Sequence, residues 1–230
     1  MAEVIVALDV PDARAALSLV DRLPDVRWVK VGSVVMTREG PDLVRALVGR
    51  SISVFLDLKW HDIPSTVTEA VAGARQLGVA MATVHIAGGA AMMAAAVSAG
   101  GGDLALVGVT VLTSHDAASY SRAVGRSVVD LGEEVVRLAG EASSAGLAGV
   151  VCSPREVARV RDRLDRGARI VVPGIRRRSD SARDQVRVAT AAEAAAAGAT
   201  HLVVGRPVVQ AADPAAAFRE FLEEAQCAGS

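Results

Sequence analysis

The sequence predicts a single-domain (β/α)8 barrel over residues 1–230. Eight short apolar runs alternate with eight amphipathic stretches, at about 29 residues per unit. The runs are rich in Val, Ile and Leu without polar alternation, as parallel strands covered on both faces require. Run after run also ends in polar or turn-forming residues: Asp9, Lys30, Asp57 with Lys59, His85, Thr110 with Thr113, Pro173-Gly174 and Gly205-Arg206. A barrel enzyme assembles its site from many strand ends at one mouth. A doubly wound open sheet, the rival architecture, gathers them at one switch point instead. No Gly-x-Gly-x-x-Gly follows the first run, which weakens the dinucleotide-binding open sheet further.

Taken in order, the first strand is expected at 4–8, and Pro11 introduces a helix over 13–23. A strand at 28–31 leads to a helix at 41–48 opened by Pro41. The strand at 54–58 leads to a helix at 66–77 stopped by Gly78. Next come a strand at 82–85 and an alanine-rich helix at 90–97, then the long run 104–111 and an amphipathic helix at 131–145 ending at Gly146. Strand 149–152 is followed by Pro154 and a helix over 155–164. Strand 170–172 crosses a polar run to a helix at 191–197 ending at Gly198, and strand 201–204 precedes a last helix at 214–224 headed by Pro214. No linker-like composition interrupts the series.

The chain is 51% hydrophobic and 22% charged with a net charge of −1, and 44 of its 230 residues are alanine. The near-neutral balance argues against a general nucleic-acid binder or a binder of anionic membranes. Two cysteines, Cys152 and Cys227, are too few for a disulfide framework or a cysteine zinc site. No stretch reads as a secretory leader, and none reaches the roughly 18 apolar residues of a membrane span, so a cytoplasmic protein is expected.

The densest segment runs Asp57-Leu58-Lys59-Trp60-His61-Asp62-Ile63-Pro64-Ser65-Thr66. Asp57 and Lys59 lie two apart at a strand end, so their side chains share a side. Ile63-Pro64 stiffens the chain before Ser65 or Thr66 opens the next helix. A carboxylate beside an ammonium keeps both charged and leaves Lys59 as a proton donor; a structural ion pair is the plainer alternative. Lysine usage favours chemistry. Of 25 Lys and Arg residues only Lys30 and Lys59 are lysine, and both end neighbouring strands. Arginine is in effect never deprotonated, whereas lysine can give up a proton near neutral pH.

A second constellation joins Val172-Pro173-Gly174-Ile175-Arg176, Asp184-Gln185 and Val203-Val204-Gly205-Arg206-Pro207. The last two strand loops of a barrel often hold phosphate. Gly174 and Gly205 admit a close approach of backbone, and Arg206 can fork onto phosphate oxygens. The polar run 177–184 is either a lid or a solvated connection. His61, His85, His115 and His201 have no metal-ligand spacing, so no metal site is expected; His85 either lines the mouth or is structural. Cys152 reads as a small buried residue.

These residues resemble the bacterial type of orotidine 5′-phosphate decarboxylase, from Val4 to about Phe221. The Asp-x-Lys-x-x-Asp-Ile-Pro-x-Thr pattern from Asp57 to Thr66 is specific. It occurs together with Ala7-Leu8-Asp9, Lys30-Val31-Gly32, Thr83-Val84-His85, Leu112-Thr113-Ser114, Cys152-Ser153-Pro154 and both phosphate-loop segments. The resemblance implies conversion of orotidine 5′-monophosphate to uridine 5′-monophosphate and CO2, the last step of UMP synthesis, without metal or cofactor. It implies a charged array of Lys30, Asp57, Lys59 and Asp62, with Lys59 protonating C6 of the pyrimidine. Asp57 would sit beside the departing carboxylate, and Lys30 would hold Asp57 and a ribose hydroxyl. Asp9 would bind ribose and Thr113 the pyrimidine. Gln185, Arg206 and the Gly205 backbone would hold phosphate, with Arg176 at the lid's base. Asp62 and Thr66 would reach into the partner subunit's site, so a homodimer is implied. Ser65, where asparagine is often found, and Thr190-Ala191, where Thr-Pro is usual, depart from the pattern away from any catalytic position.

Losing CO2 from C6 leaves an in-plane electron pair with no adjacent sink, and no cofactor motif supplies one, so a preorganised ammonium has to. The nearest rival is a metal-dependent sugar-phosphate decarboxylase or aldolase of the same superfamily, which resembles this chain but has a carboxylate where Lys30 stands. A non-catalytic nucleotide binder, the rival of another class, would be expected to have lost a charged member of the array.

Overall fold

The computed structural model describes residues 1–127, 129–177 and 187–227. Eight strands, β1 (Glu3–Ala7), β2 (Trp28–Gly32), β3 (Ser53–Trp60), β4 (Met81–His85), β5 (Ala105–Val109), β6 (Gly149–Val151), β7 (Arg169–Val172) and β8 (His201–Val204), close into a parallel barrel in chain order. Closure pairs β8 with β1, placing Ile5 opposite Val203. The described helices are α1 (Ala13–Arg22), α2 (Ser33–Glu39), α3 (Pro41–Val48), α4 (Pro64–Gln76), α5 (Gly89–Gly100) and α6 (Ala117–Ala123), followed by α7 (Leu131–Ser144), α8 (Val157–Arg163), α9 (Ala191–Ala196), α10 (Arg206–Val209) and α11 (Pro214–Cys227). None of them is long and apolar enough to cross a membrane.

Local chemistry explains where the helices begin. Asp12 accepts from the Ala15 N–H at 2.8 Å to cap α1, and Asp130 accepts from the Glu133 N–H at 2.9 Å to cap α7. Thr190 and Glu193 form a reciprocal capping box at α9, so that start is fully capped without a proline. The start of α4 differs from expectation. Pro64 takes the first helical position behind Ile63, and no side chain caps it, so Ser65 and Thr66 lie inside the first turn. The expected helix over 155–164 is a 3-10 turn, Pro154–Glu156, followed by α8. Helices α2, α6 and α10 were not expected, because segments this short show no apolar stripe. A capping box of Asp116 and Ser119 opens α6 and was a readable signal.

Since both faces of each strand are apolar, closure of the barrel decides which residues point inward. Ile5, Ala7, Phe55, Met81, Val107, Val171 and Val203 form the inner core. Their neighbours Val4, Val6, Leu8, Val54, Leu56, Ala82 and Val172 pack outward under the helices. Two residues further along each strand, the inward parity reaches Asp9, Asp57, Thr83, Val109, Pro173 and Gly205. The same parity followed backward reaches Arg169 and His201, which close the floor with Trp28. A Cβ on Gly149 would lie 1.9 Å from the Arg169 carbonyl oxygen, so only glycine lets β6 and β7 meet there.

Candidate active site

Three adjacent strands carry a chain of alternating charge. The Lys59 ammonium lies 2.8 Å from Asp57 Oδ1. The Lys30 ammonium lies 3.8 Å from Asp57 Oδ2 and 3.3 Å from Asp9 Oδ1. Lys30 and Asp57 are largely buried, while Lys59 keeps 38% of its side chain exposed toward the mouth. Gly32 makes room for this arrangement: a Cβ there would sit 2.9 Å from Lys30 Nζ.

Lys59 is aimed by an irregularity at the end of β3. Leu56 pairs with Ala82 and Trp60 with Val84, so β3 takes four steps where β4 takes two. Within this bulge Lys59 adopts φ +54°, the left-handed region that non-glycine residues enter at a cost. Its N–H donates to Thr83 Oγ1 at 2.8 Å, and the Thr83 hydroxyl donates to Asp57 Oδ1 at 3.2 Å.

The array forms one wall of a cavity of about 500 Å³ at the C-terminal mouth of the barrel. Ala7, Phe55, Val171 and Val203, the top of the inner core, make its base. Thr113 and Cys152 line a side, and Gly174, Arg176, Gly205, Arg206 and Gln210 line the cavity from the segments that follow β7 and β8. Eight expected site residues therefore share one cavity: Asp9, Lys30, Asp57, Lys59, Thr113, Arg176, Gly205 and Arg206. Gln185 lies outside the described residues, as does most of the 177–184 run. Arg206 begins α10, a single turn of four residues whose dipole is small, so the arginine and nearby backbone are what this end offers.

Asp62 and Thr66 do not line this cavity. They belong to a continuous exposed stretch from His61 to Thr66 in which Ile63 is 64% exposed. Asp62 Oδ1 accepts from the Ile63 N–H at 2.7 Å, just ahead of α4. Thr110 turns away from the cavity and donates to the Val151 carbonyl at 2.8 Å. His85 does not line it either. Its ring stacks on His61 at 5.4 Å, and burial, with His61 and Lys59 nearby, holds its pKa below the ordinary histidine value. Burial pushes the Cys152 thiol well up, so it is an inert wall of the pocket. Among the described residues no group of three His, Cys, Asp or Glu could hold a metal.

Behind the cavity lies a buried ion pair that sequence reasoning passed over. Arg187 Nη1 meets Glu156 Oε1 at 2.8 Å, with both side chains more than nine-tenths buried. Arg187 Nη2 donates to the Leu112 carbonyl at 3.1 Å, and the Ser153 hydroxyl donates to Glu156. The pair thus fastens the turn that presents Thr113. Thr83 and Gln210 were also missed. Thr83 had a signal, being the one hydroxyl in an apolar strand and on the inward parity.

A family model described as orotidine 5′-phosphate decarboxylase / HUMPS family matches residues 2–221. The orotidine 5′-phosphate decarboxylase of Halorhodospira halophila is 48% identical over 229 residues, 98% of this chain and 96% of that one. The enzyme of the same name from Alkalilimnicola ehrlichii is 50% identical over 224 residues, covering 96% and 94%. A crystal structure of orotidine 5′-phosphate decarboxylase from Lactobacillus acidophilus superposes with a TM-score of 0.86 at 32% identity, over 98% of this chain and 99% of that one. With the barrel, the charged mouth and relatives matched end to end, the chain belongs to the orotidine 5′-phosphate decarboxylase / HUMPS family.

Proposed function

We propose that this single barrel domain decarboxylates orotidine 5′-monophosphate to uridine 5′-monophosphate and CO2, closing UMP synthesis in the cytoplasm. The alternating Asp9–Lys30–Asp57–Lys59 array carries this reading. The C6–carboxylate bond breaks and its electron pair stays on C6, in the plane of the ring. Lys59 gives that carbon its proton and is reprotonated by solvent, so neither metal nor cofactor is called for. Its ammonium, held beside Asp57 before substrate arrives, is preorganised for the charge that develops. Asp57 faces the leaving carboxylate, Lys30 and Asp9 take the ribose hydroxyls, and Thr113 meets the pyrimidine. Arg206, Arg176, Gln185 and the Gly205 backbone hold the phosphate.

Lys30 argues against the metal-dependent sugar-phosphate reading. Its cation stands between the carboxylates of Asp9 and Asp57, where a divalent ion would need anionic ligands. The test is the ultraviolet absorbance of orotidine monophosphate incubated with EDTA-treated protein. Steady conversion is expected; activity that vanishes with EDTA and returns with magnesium would overturn the metal-free mechanism.

The exposed stretch from His61 to Thr66 supports a second part of the proposal, a homodimer in which Asp62 and Thr66 complete the partner's site. Mixing inactive Lys59→Ala chains with inactive Asp62→Ala chains is expected to regenerate one intact site per heterodimer. No recovery, despite demonstrated subunit exchange, would mean that each chain builds its site alone.

A further inference from the structure

We infer that Thr83 is a positioning residue for the reaction, its hydroxyl locking both ends of Lys59 onto Asp57; the inference rests on the decarboxylase reading above. Thr83 is fully buried in β4 between Ala82 and Val84, which are also fully buried. A hydroxyl there is costly unless both its donor and acceptor capacities are used. Both are used, and both partners belong to the charged array. The hydroxyl accepts from the Lys59 N–H at 2.8 Å and donates to Asp57 Oδ1 at 3.2 Å. The same carboxylate oxygen receives the Lys59 ammonium at 2.8 Å. A closed ring results, running from the Lys59 backbone through Thr83 and Asp57 back to the Lys59 side-chain tip.

The ring answers two physical problems at once. The bulge between Leu56 and Trp60 takes the Lys59 N–H out of the regular β3–β4 ladder, and a buried N–H must find another acceptor. Thr83 supplies it, so the left-handed conformation at Lys59 is sustained by a hydrogen bond from the neighbouring strand. Lysine also has four side-chain torsions, and an ammonium meant to meet one carbon must not roam. Anchoring the backbone and the tip to one hydroxyl–carboxylate unit restricts where Nζ stands. Gly205 follows β8 and Arg206 begins α10, so the proposed phosphate contacts come from a segment other than the β3–β4 pair that carries this ring.

The experiment compares Thr83→Val, Thr83→Ala and Thr83→Ser with wild type. It measures kcat and KM for orotidine monophosphate, calorimetric affinity for uridine monophosphate, and melting temperature. Thr83→Val and Thr83→Ala are expected to lose kcat by about 100-fold, the scale of a small misplacement at a reacting atom. KM and product affinity should stay within about threefold, since the phosphate contacts are untouched. Thr83→Ser, which keeps the hydroxyl, should recover kcat to within about fivefold of wild type. Should Thr83→Val not fold, the Ala and Ser variants still differ by the hydroxyl alone and decide the matter. Loss confined to melting temperature, or a Ser variant no better than Ala, would overturn the inference. Wild-type protein that fails to decarboxylate overturns the functional reading and this inference with it, whereas active wild type with insensitive variants overturns the inference alone.

Discussion

The floor and the mouth of this barrel use the same inward-pointing parity and treat charge in opposite ways. At the floor, the Trp28 and His201 rings meet edge to face at 5.4 Å, and the Arg169 guanidinium lies 6.0 Å from the Trp28 centroid. Among the described residues no ion pair joins a carboxylate to Arg169 or His201. Burial, helped by Arg169, lowers the His201 pKa to about 4, and burial also lowers that of Arg169. At the mouth, each lysine lies within 4 Å of a carboxylate, and a cavity of about 500 Å³ stands over the array. Desolvation without a partner drives a base toward neutrality, while an opposite charge close by favours the ionised form. The floor is thus a plug, and the mouth is where this fold holds paired charge at the edge of an open cavity.

Substituting Lys59 should break the contrast most severely. Lys59→Ala is expected to keep the fold and melting behaviour yet lose kcat by at least about 10³-fold, within the range that proton donors contribute. Lys59→Arg should fail nearly as badly, because a guanidinium is a poor acid and misplaces the charge. An arginine variant within about tenfold of wild-type turnover would remove the proton-donor role.

Arg206→Ala comes next, in the same cavity at the start of α10. Its loss is expected to cost about 2–5 kcal/mol in kcat/KM, as for other desolvated charge contacts. If phosphate binding also organises the array, KM rises and kcat falls together. Normal kcat at saturating substrate would show that this contact only holds the nucleotide.

His201 offers the smallest effect on turnover and the sharpest test of the floor. Folded His201 has a pKa of about 4 against 6.5 for an ordinary histidine. Between these values the unfolded chain binds the extra proton, so stability is fully present above pH 6.5 and falls as the pH drops toward 4. The expected loss is about 3 kcal/mol across that window. In denaturant titrations, His201→Gln should flatten this slope while leaving kcat at neutral pH unchanged. An unchanged acid slope would mean that the floor histidine does not set it.

Much of this was legible in the chain itself. Eight apolar runs with polar ends are enough for a parallel barrel with a C-terminal mouth, because strands covered on both faces need no alternation. The Asp57–Thr66 segment and the two lysines pointed to Lys30, Asp57 and Lys59, since lysine chemistry cannot be replaced by arginine. Asp62, expected in the same array, lies on the exposed stretch outside the cavity. The tertiary structure decided what such runs cannot say. An apolar strand such as Met81–His85 hides which of its residues faces inward, so Thr83 became a site residue only when closure put it beside Asp57. The Lys59 bulge depends on how β3 registers against β4, and the Arg187–Glu156 pair joins residues 31 apart in the chain. Local sequence determines strands, helices and reactive groups through short-range periodicity and side-chain chemistry. Register, parity and buried partnerships arise from contacts between distant segments, and only the closed barrel brings those segments together.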